Sequence, residues 1–268
     1  MDARYVKLLA TTSRTFMVPI MRAPEPLQSA IGSAYLCMRA IDEIEDHPAL
    51  SNDIKERLLL EITRRLRAAD LDSKADLFDD LFKPFADMLP EVTLKLGELM
   101  LVAPPEIRLD VIQTTADMAE QMAAWSRRGW GIHTREDLDL YTFDVAGRVG
   151  LMLSKMWKWF EDITTREEEA IGFGRTLQSV NILRNREEDA QRGVDYFPDG
   201  WGMPDMMAYA REQMALADQY MTRLPRGASY DFCVLPLALA RETLVALEKG
   251  KEKLSRTDVM KIIASCFK

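Results

Sequence analysis

Two polar stripes at helical spacing, each set in an otherwise apolar stretch, constrain this chain's fold more than any other feature. The first lies in Arg39-Ala-Ile-Asp42-Glu-Ile-Glu45-Asp46, the second in Asn181-Ile-Leu-Arg184-Asn185-Arg-Glu-Glu188-Asp189. Asp42 and Asp46 are four residues apart, one turn up an α-helix and about 40° round it, so both point into the same space. Asn181, Asn185 and Asp189 repeat that spacing. Ala30, Gly32, Ala34, Leu36 and Met38 make the upstream helix too apolar for a surface position, so it delivers its acids to a buried end. Leu177, Val180, Ile182 and Leu183 flank the second stripe in the same way. Unpartnered carboxylates cost several kcal/mol to bury, so facing acidic stripes make poor core. They make a good cage for Mg²⁺ (or Mn²⁺), a hard cation that takes oxygen ligands and shares them with substrate phosphates. The candidate metal ligands are Asp42, Asp46, Asn181, Asn185 and Asp189, the amides serving as neutral oxygen donors.

Around these stripes the apolar spacing is helical nearly throughout, with no sustained alternation, internal repeat or low-complexity tract. The pattern predicts helices over 27–46, 53–69, 74–89, 91–102 and 106–127. The first is stopped by His47-Pro48 and the second capped by Ser51-Asn-Asp53. Thr134 with Asp137 resembles a capping box opening a long helix to about 162. Thr164 or Thr165 caps the helix carrying the second stripe, which ends near Gly193. Helices over 203–224, 228–249 and 255–266 complete an all-α chain. With 268 residues, 47% of them apolar, and no linker-like run, one domain covering 1–268 is expected.

A net charge of −8 argues against a nucleic-acid partner, which would call for a basic face. Cys37, Cys233 and Cys266 have no zinc-like or disulfide-like spacing. The start, Met-Asp-Ala-Arg-Tyr, lacks the layout of a signal peptide, and no apolar run approaches the roughly 20 residues that span a bilayer. The expectation is a cytoplasmic protein without a transmembrane segment.

A third segment, Leu140-Tyr141-Thr-Phe-Asp-Val-Ala146-Gly147-Arg-Val-Gly150-Leu151, places two glycines inside a helical pattern. Each costs about 1 kcal/mol relative to Ala, so something must come close there. Tight helix packing and a substrate tunnel are equally good accounts.

Taken in order, these segments resemble the squalene and phytoene synthase family. Ser13-Arg14-Thr15-Phe16 is similar to its N-terminal S-[RK]-[ST]-F, and Ala34 through Asp46 to its first aspartate-rich motif. Tyr141 through Gly150 is similar to Y-x-x-x-V-A-G-x-V-G. Gln178 and Asn181 through Pro198 resemble the second motif, N-I-x-R-D-x-x-E-D with a glycine and a Tyr/Phe-x-Pro ending. Phe232-Cys-Val-Leu-Pro236 with Ala240 is similar to its C-terminal helix.

The resemblance implies an all-α isoprenoid-synthase bundle with a central active-site cavity. It implies a Mg²⁺-dependent prenyltransferase that joins two farnesyl or geranylgeranyl diphosphates head to head through a cyclopropylcarbinyl diphosphate. Squalene-type members finish with NADPH reduction and phytoene-type members with proton loss; the residues leave NADPH use and chain length open. By position, Asp42, Asp46 and Asp189 would hold Mg²⁺, and Arg14, Arg39 and Arg184 would hold diphosphate. Gln178 and Asn181 would contact diphosphate and metal, Ser13 and Tyr35 would contact substrate, and Tyr141 would steer the cation or move a proton. The apolar product leaves room for peripheral membrane association during release.

Two positions depart from the motif. Asn185 stands where the family has Asp, and Val194 follows Gly193 where a basic residue is usual. One anionic ligand and one phosphate-binding cation are therefore missing from the second motif. The departures favour an alternative, ionisation of a single prenyl diphosphate with water capture to a prenyl alcohol such as farnesol, a phosphatase or lyase outcome. Retention of Asp42, Asp46 and Asp189 argues against a non-catalytic partner subunit.

Overall fold

A computed structural model describes the chain except Arg14, Arg192, Glu252 and Lys268. All regular structure among the described residues is helical, without strands. The chain divides into two compact units, Met1–Gly129 and Trp130–Lys268.

The first unit is built around α3 (Leu27–Glu45), preceded by α1 (Ala3–Thr12) and α2 (Met17–Arg22). Asp2 caps α1 by accepting the Arg4 N–H at 2.8 Å. From Ala30 to Ile44 nearly every residue of α3 is buried, as its apolar sequence requires. Around it stand α4 (Asn52–Ala68), the short α5 (Asp79–Phe82), α6 (Glu91–Leu94) and α7 (Leu96–Met100), and the long α8 (Pro105–Arg127). Ser33 Oγ donates to the Leu99 carbonyl at 2.7 Å, and Thr93 Oγ1 to that of Ala40 at 2.9 Å. These hydroxyls tie α3 to the short helices without leaving a buried polar group idle.

The stretch expected to be helical over 74–89 holds only α5 and a 3-10 turn, Lys83–Phe85. The region 91–102 is split at Lys95 into α6 and α7. A tertiary contact explains part of this. A Cβ on Gly97 would lie 2.1 Å from the Ala75 carbonyl oxygen, so the backbone at Ala75 is pressed against α7 and is not free to wind into a helix. Ser51 occupies the N-cap position of α4, but its side chain makes no capping hydrogen bond.

The second unit comprises α9 (Arg135–Thr142), a π-helical turn (Phe143–Gly147), α10 (Arg148–Glu161), α11 (Glu167–Gln191), α12 (Met203–Arg223), α13 (Ala228–Glu248) and α14 (Arg256–Cys266). Thr134 and Asp137 form the expected capping box: the Asp137 N–H donates to Thr134 Oγ1 at 3.1 Å, and the Thr134 N–H to Asp137 Oδ2 at 3.0 Å. The Thr165 hydroxyl, just before α11, donates to Ser154 Oγ at 2.8 Å. Ser154 and the Trp157 indole N–H both bond the buried Tyr220 hydroxyl, at 3.0 and 2.8 Å, pinning α10 to α12. Glu161 closes the N-terminus of α13 by accepting the N–H groups of Ala228 and Ser229 at 2.8 and 2.9 Å, where a helix favours negative charge.

The glycines of the third segment serve helix packing. A Cβ on Gly150 would sit 2.0 Å from the Ala170 carbonyl oxygen, and one on Gly174 would sit 2.2 Å from that of Ala146. Helix α11 therefore meets α10 and the π turn backbone to backbone. In an ordinary helix, Gly→Ala gains roughly 0.5–1 kcal/mol. Here Gly150→Ala and Gly174→Ala should each lose about 1–3 kcal/mol through overpacking against backbone that cannot step aside. Urea denaturation of the two variants checks the sign; a gain in either would refute the close approach.

Candidate functional site

The first stripe ends α3. Asp42 lies in its last turn and Asp46 is its C-cap, with the Asp46 N–H bonded to the Asp42 carbonyl at 2.8 Å. The carboxyl end of a helix carries partial negative charge, so carboxylates there compound an unfavourable potential and cations relieve it. Asp42 is half-buried, with 37% of its side-chain surface open. Burial pushes its carboxyl up to about 7; Arg39 works against that shift, while Asp46 and Glu43 add to it.

Arg39 is partly committed within its own helix. Its Nε donates to Glu43 at 2.9 Å, while Asp42 Oδ2 lies at 4.0 Å. Tyr35, one turn earlier on α3, donates its hydroxyl to the Thr12 carbonyl at 3.0 Å and rests near the Phe16 ring. Ser13 is buried, its hydroxyl donating to the Leu9 carbonyl at 2.5 Å. The N-terminal motif is thus folded against α3, although Arg14 lies outside the described residues.

The second stripe runs along α11. Val180, Ile182, Leu183 and Asp189 are buried, Gln178, Asn181 and Asn185 are half-buried, and Arg184 is exposed. Three of these residues form one network. Arg184 Nη2 donates to Asn181 Oδ1 at 2.7 Å, Arg184 Nε to Asn185 Oδ1 at 3.1 Å, and Asn185 Nδ2 to Asn181 Oδ1 at 3.1 Å. The departure from Asp at 185 gains a physical meaning here. A carboxylate at 185 would add a negative charge beside the guanidinium, whereas the amide orients it without one.

The helix stops in a Schellman-type turn. Gly193, at φ 78°, donates its N–H to the Ala190 carbonyl at 3.0 Å, and Val194 donates to that of Asp189 at 3.1 Å. Only a residue tolerant of the left-handed region serves well there, which accounts for the glycine of the motif. The next residues swing back so that Tyr196 stacks on Tyr141, with ring centres 4.7 Å apart and planes 18° from parallel. Both rings are buried, and Tyr141 stands two residues before the π turn.

Within neither unit do three carboxylate, imidazole or thiol groups among the described residues converge to hold a metal unaided. The donors nonetheless suit a hard cation shared with phosphate oxygens. They are carboxylate and amide oxygens one turn apart, with Asp42, Asp46 and Asp189 near the carboxyl ends of their helices and Asp42 held in surroundings that disfavour its anion.

The sequence profile of the squalene/phytoene synthases matches residues 9–201, a span that includes both stripes and the Tyr141 segment. The chain belongs to the squalene/phytoene synthase family. Squalene synthase of Eremothecium gossypii is 28% identical over 295 residues, covering 96% of this chain and 64% of that protein. The Schizosaccharomyces pombe squalene synthase is 26% identical, covering 93% of this chain and 60% of its own length. The chain thus spans somewhat under two thirds of these relatives. TcSQS in complex with the ligand BPH1237 superposes with a TM-score of 0.79 at 20% identity, over 98% of this chain and 85% of that one. A dehydrosqualene synthase in complex with a ligand gives 0.69 at 18% identity, over 98% and 94%. The fold is that of the squalene synthase structures.

Two contacts were outside the reach of sequence reasoning. The Tyr141–Tyr196 stack joins residues far apart in the chain, although both were already part of separate motifs. Glu43, as the partner of Arg39, carried only the weak signal of (i, i+4) opposite charge.

A prediction follows from Asp42. Its carboxyl is raised above the ordinary 3.8, so the folded protein binds that proton more tightly than the unfolded chain. The resulting destabilisation is absent below about pH 4, grows through pH 4–7 and is full above it. In chelator, Asp42→Asn should therefore raise the melting temperature most at pH 8, with the difference shrinking towards pH 5. A pH-independent difference would show that the carboxylate is not the strained group.

Proposed function

We propose that this chain condenses two prenyl diphosphates head to head, residues 1–268 acting as one catalytic domain. What carries the reading is that the family profile includes both acid-bearing helices, α3 with Asp42 and Asp46 at its carboxyl end and α11 with Asp189 in its last turn. Asp42 and Asp46 on α3, and Asp189 with Asn181 and Asn185 on α11, are the proposed Mg²⁺ ligands. The bound cation would neutralise diphosphate charge and make it a better leaving group.

The chain's own residues have separate tasks. Arg39, which pairs with Glu43, and Arg184, oriented by two amides, are the proposed diphosphate ligands. Loss of diphosphate leaves an allylic cation, which the electron-rich face of Tyr141, backed by Tyr196, would stabilise. The double bond of the second substrate attacks that cation, and loss of a proton closes the cyclopropane of a cyclopropylcarbinyl diphosphate. A second ionisation would then end in proton loss, or in reduction were NADPH bound to supply a hydride.

Asn185 and Val194 support a second reading, in which one diphosphate ionises and water captures the cation to give a prenyl alcohol. Incubation with farnesyl or geranylgeranyl diphosphate and Mg²⁺, with and without NADPH, separates the two. A C30 or C40 hydrocarbon is expected. Prenyl alcohol alone would establish the second reading, and consumption of neither substrate would sink both. Asp42→Ala and Asp46→Ala should each lose at least about 100-fold in turnover, the scale of a key electrostatic contact, while remaining folded by circular dichroism.

Asn185→Asp provides a finer test. The new carboxylate should tighten the Mg²⁺ requirement by about 1 kcal/mol, roughly fivefold. By pairing with Arg184 it should also raise KM for the diphosphate. Magnesium titrations at fixed substrate and substrate titrations at fixed magnesium measure the two effects. If both constants match the parent's, Asn185 takes no part in either task.

A further inference from the structure

Arg186 lies on α11 three residues before Asp189 and reaches back to the segment beyond the helix stop. Its Nη2 donates to Asp195 Oδ2 at 3.0 Å, and its guanidinium carbon lies 3.7 Å from the centre of the Phe197 ring. The other Asp195 oxygen, Oδ1, accepts the Phe197 N–H at 3.1 Å. One side chain thus grips two alternate residues of a short segment, and Tyr196 stands between them. Phe197 and Tyr196 are 4% and 8% exposed, so the gripped segment is seated in the unit. The Tyr196 ring continues inward to its stack on Tyr141.

This geometry gives Arg186 a task other than holding phosphate. One edge of the guanidinium is taken by a carboxylate and its face by an aromatic ring, so it does not replace the cation missing at Val194. The ring contact uses a feature lysine lacks, the planar face, whereas the single bond to Asp195 is one an ammonium can make.

We propose that Arg186 is a positioning residue: by clamping Asp195 and Phe197 it holds Tyr196 against Tyr141 and fixes the ring that faces the allylic cation. This role rests on the function proposed above and on Tyr141 as the group that steers the cation. Loosening the clamp lets the stacked pair shift and admits water. Water then adds its oxygen to the cation and releases a proton, giving prenyl alcohol at the expense of the coupled product.

The test is Arg186→Leu, which keeps aliphatic bulk and removes both contacts. Expected are a kcat about 10- to 100-fold lower, the scale of a misplaced catalytic group, and a larger share of prenyl alcohol. KM should stay within about twofold, since ground-state binding is untouched. Calorimetric affinity for Mg²⁺ with inorganic pyrophosphate should be unchanged, and amide exchange at Val194–Phe197 should accelerate. Arg186→Lys should recover part of kcat by restoring the ion pair without the stack. Arg186→Leu combined with Tyr196→Leu should be no worse than the more damaging single change, because both act through one ring pair.

A raised KM or weakened pyrophosphate affinity with kcat intact would overturn the proposal in favour of direct phosphate binding. Additive losses in the double variant, or an unaltered product ratio, would overturn it in favour of a purely structural contact. If the parent protein consumes no prenyl diphosphate, the functional reading fails and this role with it. Amide exchange in the same samples still reports whether Arg186 clamps the segment.

Discussion

A carboxylate at the carboxyl end of a buried helix is disfavoured by lost hydration and again by the helix's own partial negative charge. Asp42 stands in that position, half-buried and one turn from Asp46, with Arg39 turned mainly towards Glu43. The rest of the first unit makes the arrangement tolerable. Nearly the whole length of α3 is apolar and closely packed, and its polar ties to Leu99 and Thr93 fix it in register. The strain is concentrated at one helix end.

The second unit solves a different problem, that of placing an aromatic ring beside a polar stripe. Helix α11 reaches α10 and the π turn with no side chain between the backbones at Gly150 and Gly174. That approach fixes where the π turn lies, and Tyr141 stands two residues before it. At the far end of α11, the left-handed Gly193 reverses the chain and brings Tyr196 back to the same ring. Both faces of the problem are settled by glycine, once through the absence of a Cβ and once through φ.

Asn185 shows how a departure from a motif can be read chemically. In the family pattern the position is a carboxylate. Here its amide both accepts from Arg184 and donates to Asn181, a pattern Asp cannot reproduce because it has no donor when ionised. The residue has moved from supplying charge to orienting a charge.

The sequence by itself determined the helical class, the bounds of α3, α4, α8, α12 and α13 to within a residue or two, and the capping box at Thr134. Those features depend on local periodicity and on residues next to one another, which a linear reading contains. It also determined which residues share each stripe, because (i, i+4) spacing is a property of the helix alone. It did not reveal the breakdown of 74–89, the role of Gly150 as a packing contact, the bond from Thr165 to Ser154, or the clamp from Arg186 to Phe197. Each of these depends on which distant backbone or ring arrives nearby. Only the tertiary structure decided them, since the same glycine, threonine or arginine serves packing, capping or binding according to the neighbour that folding brings to it.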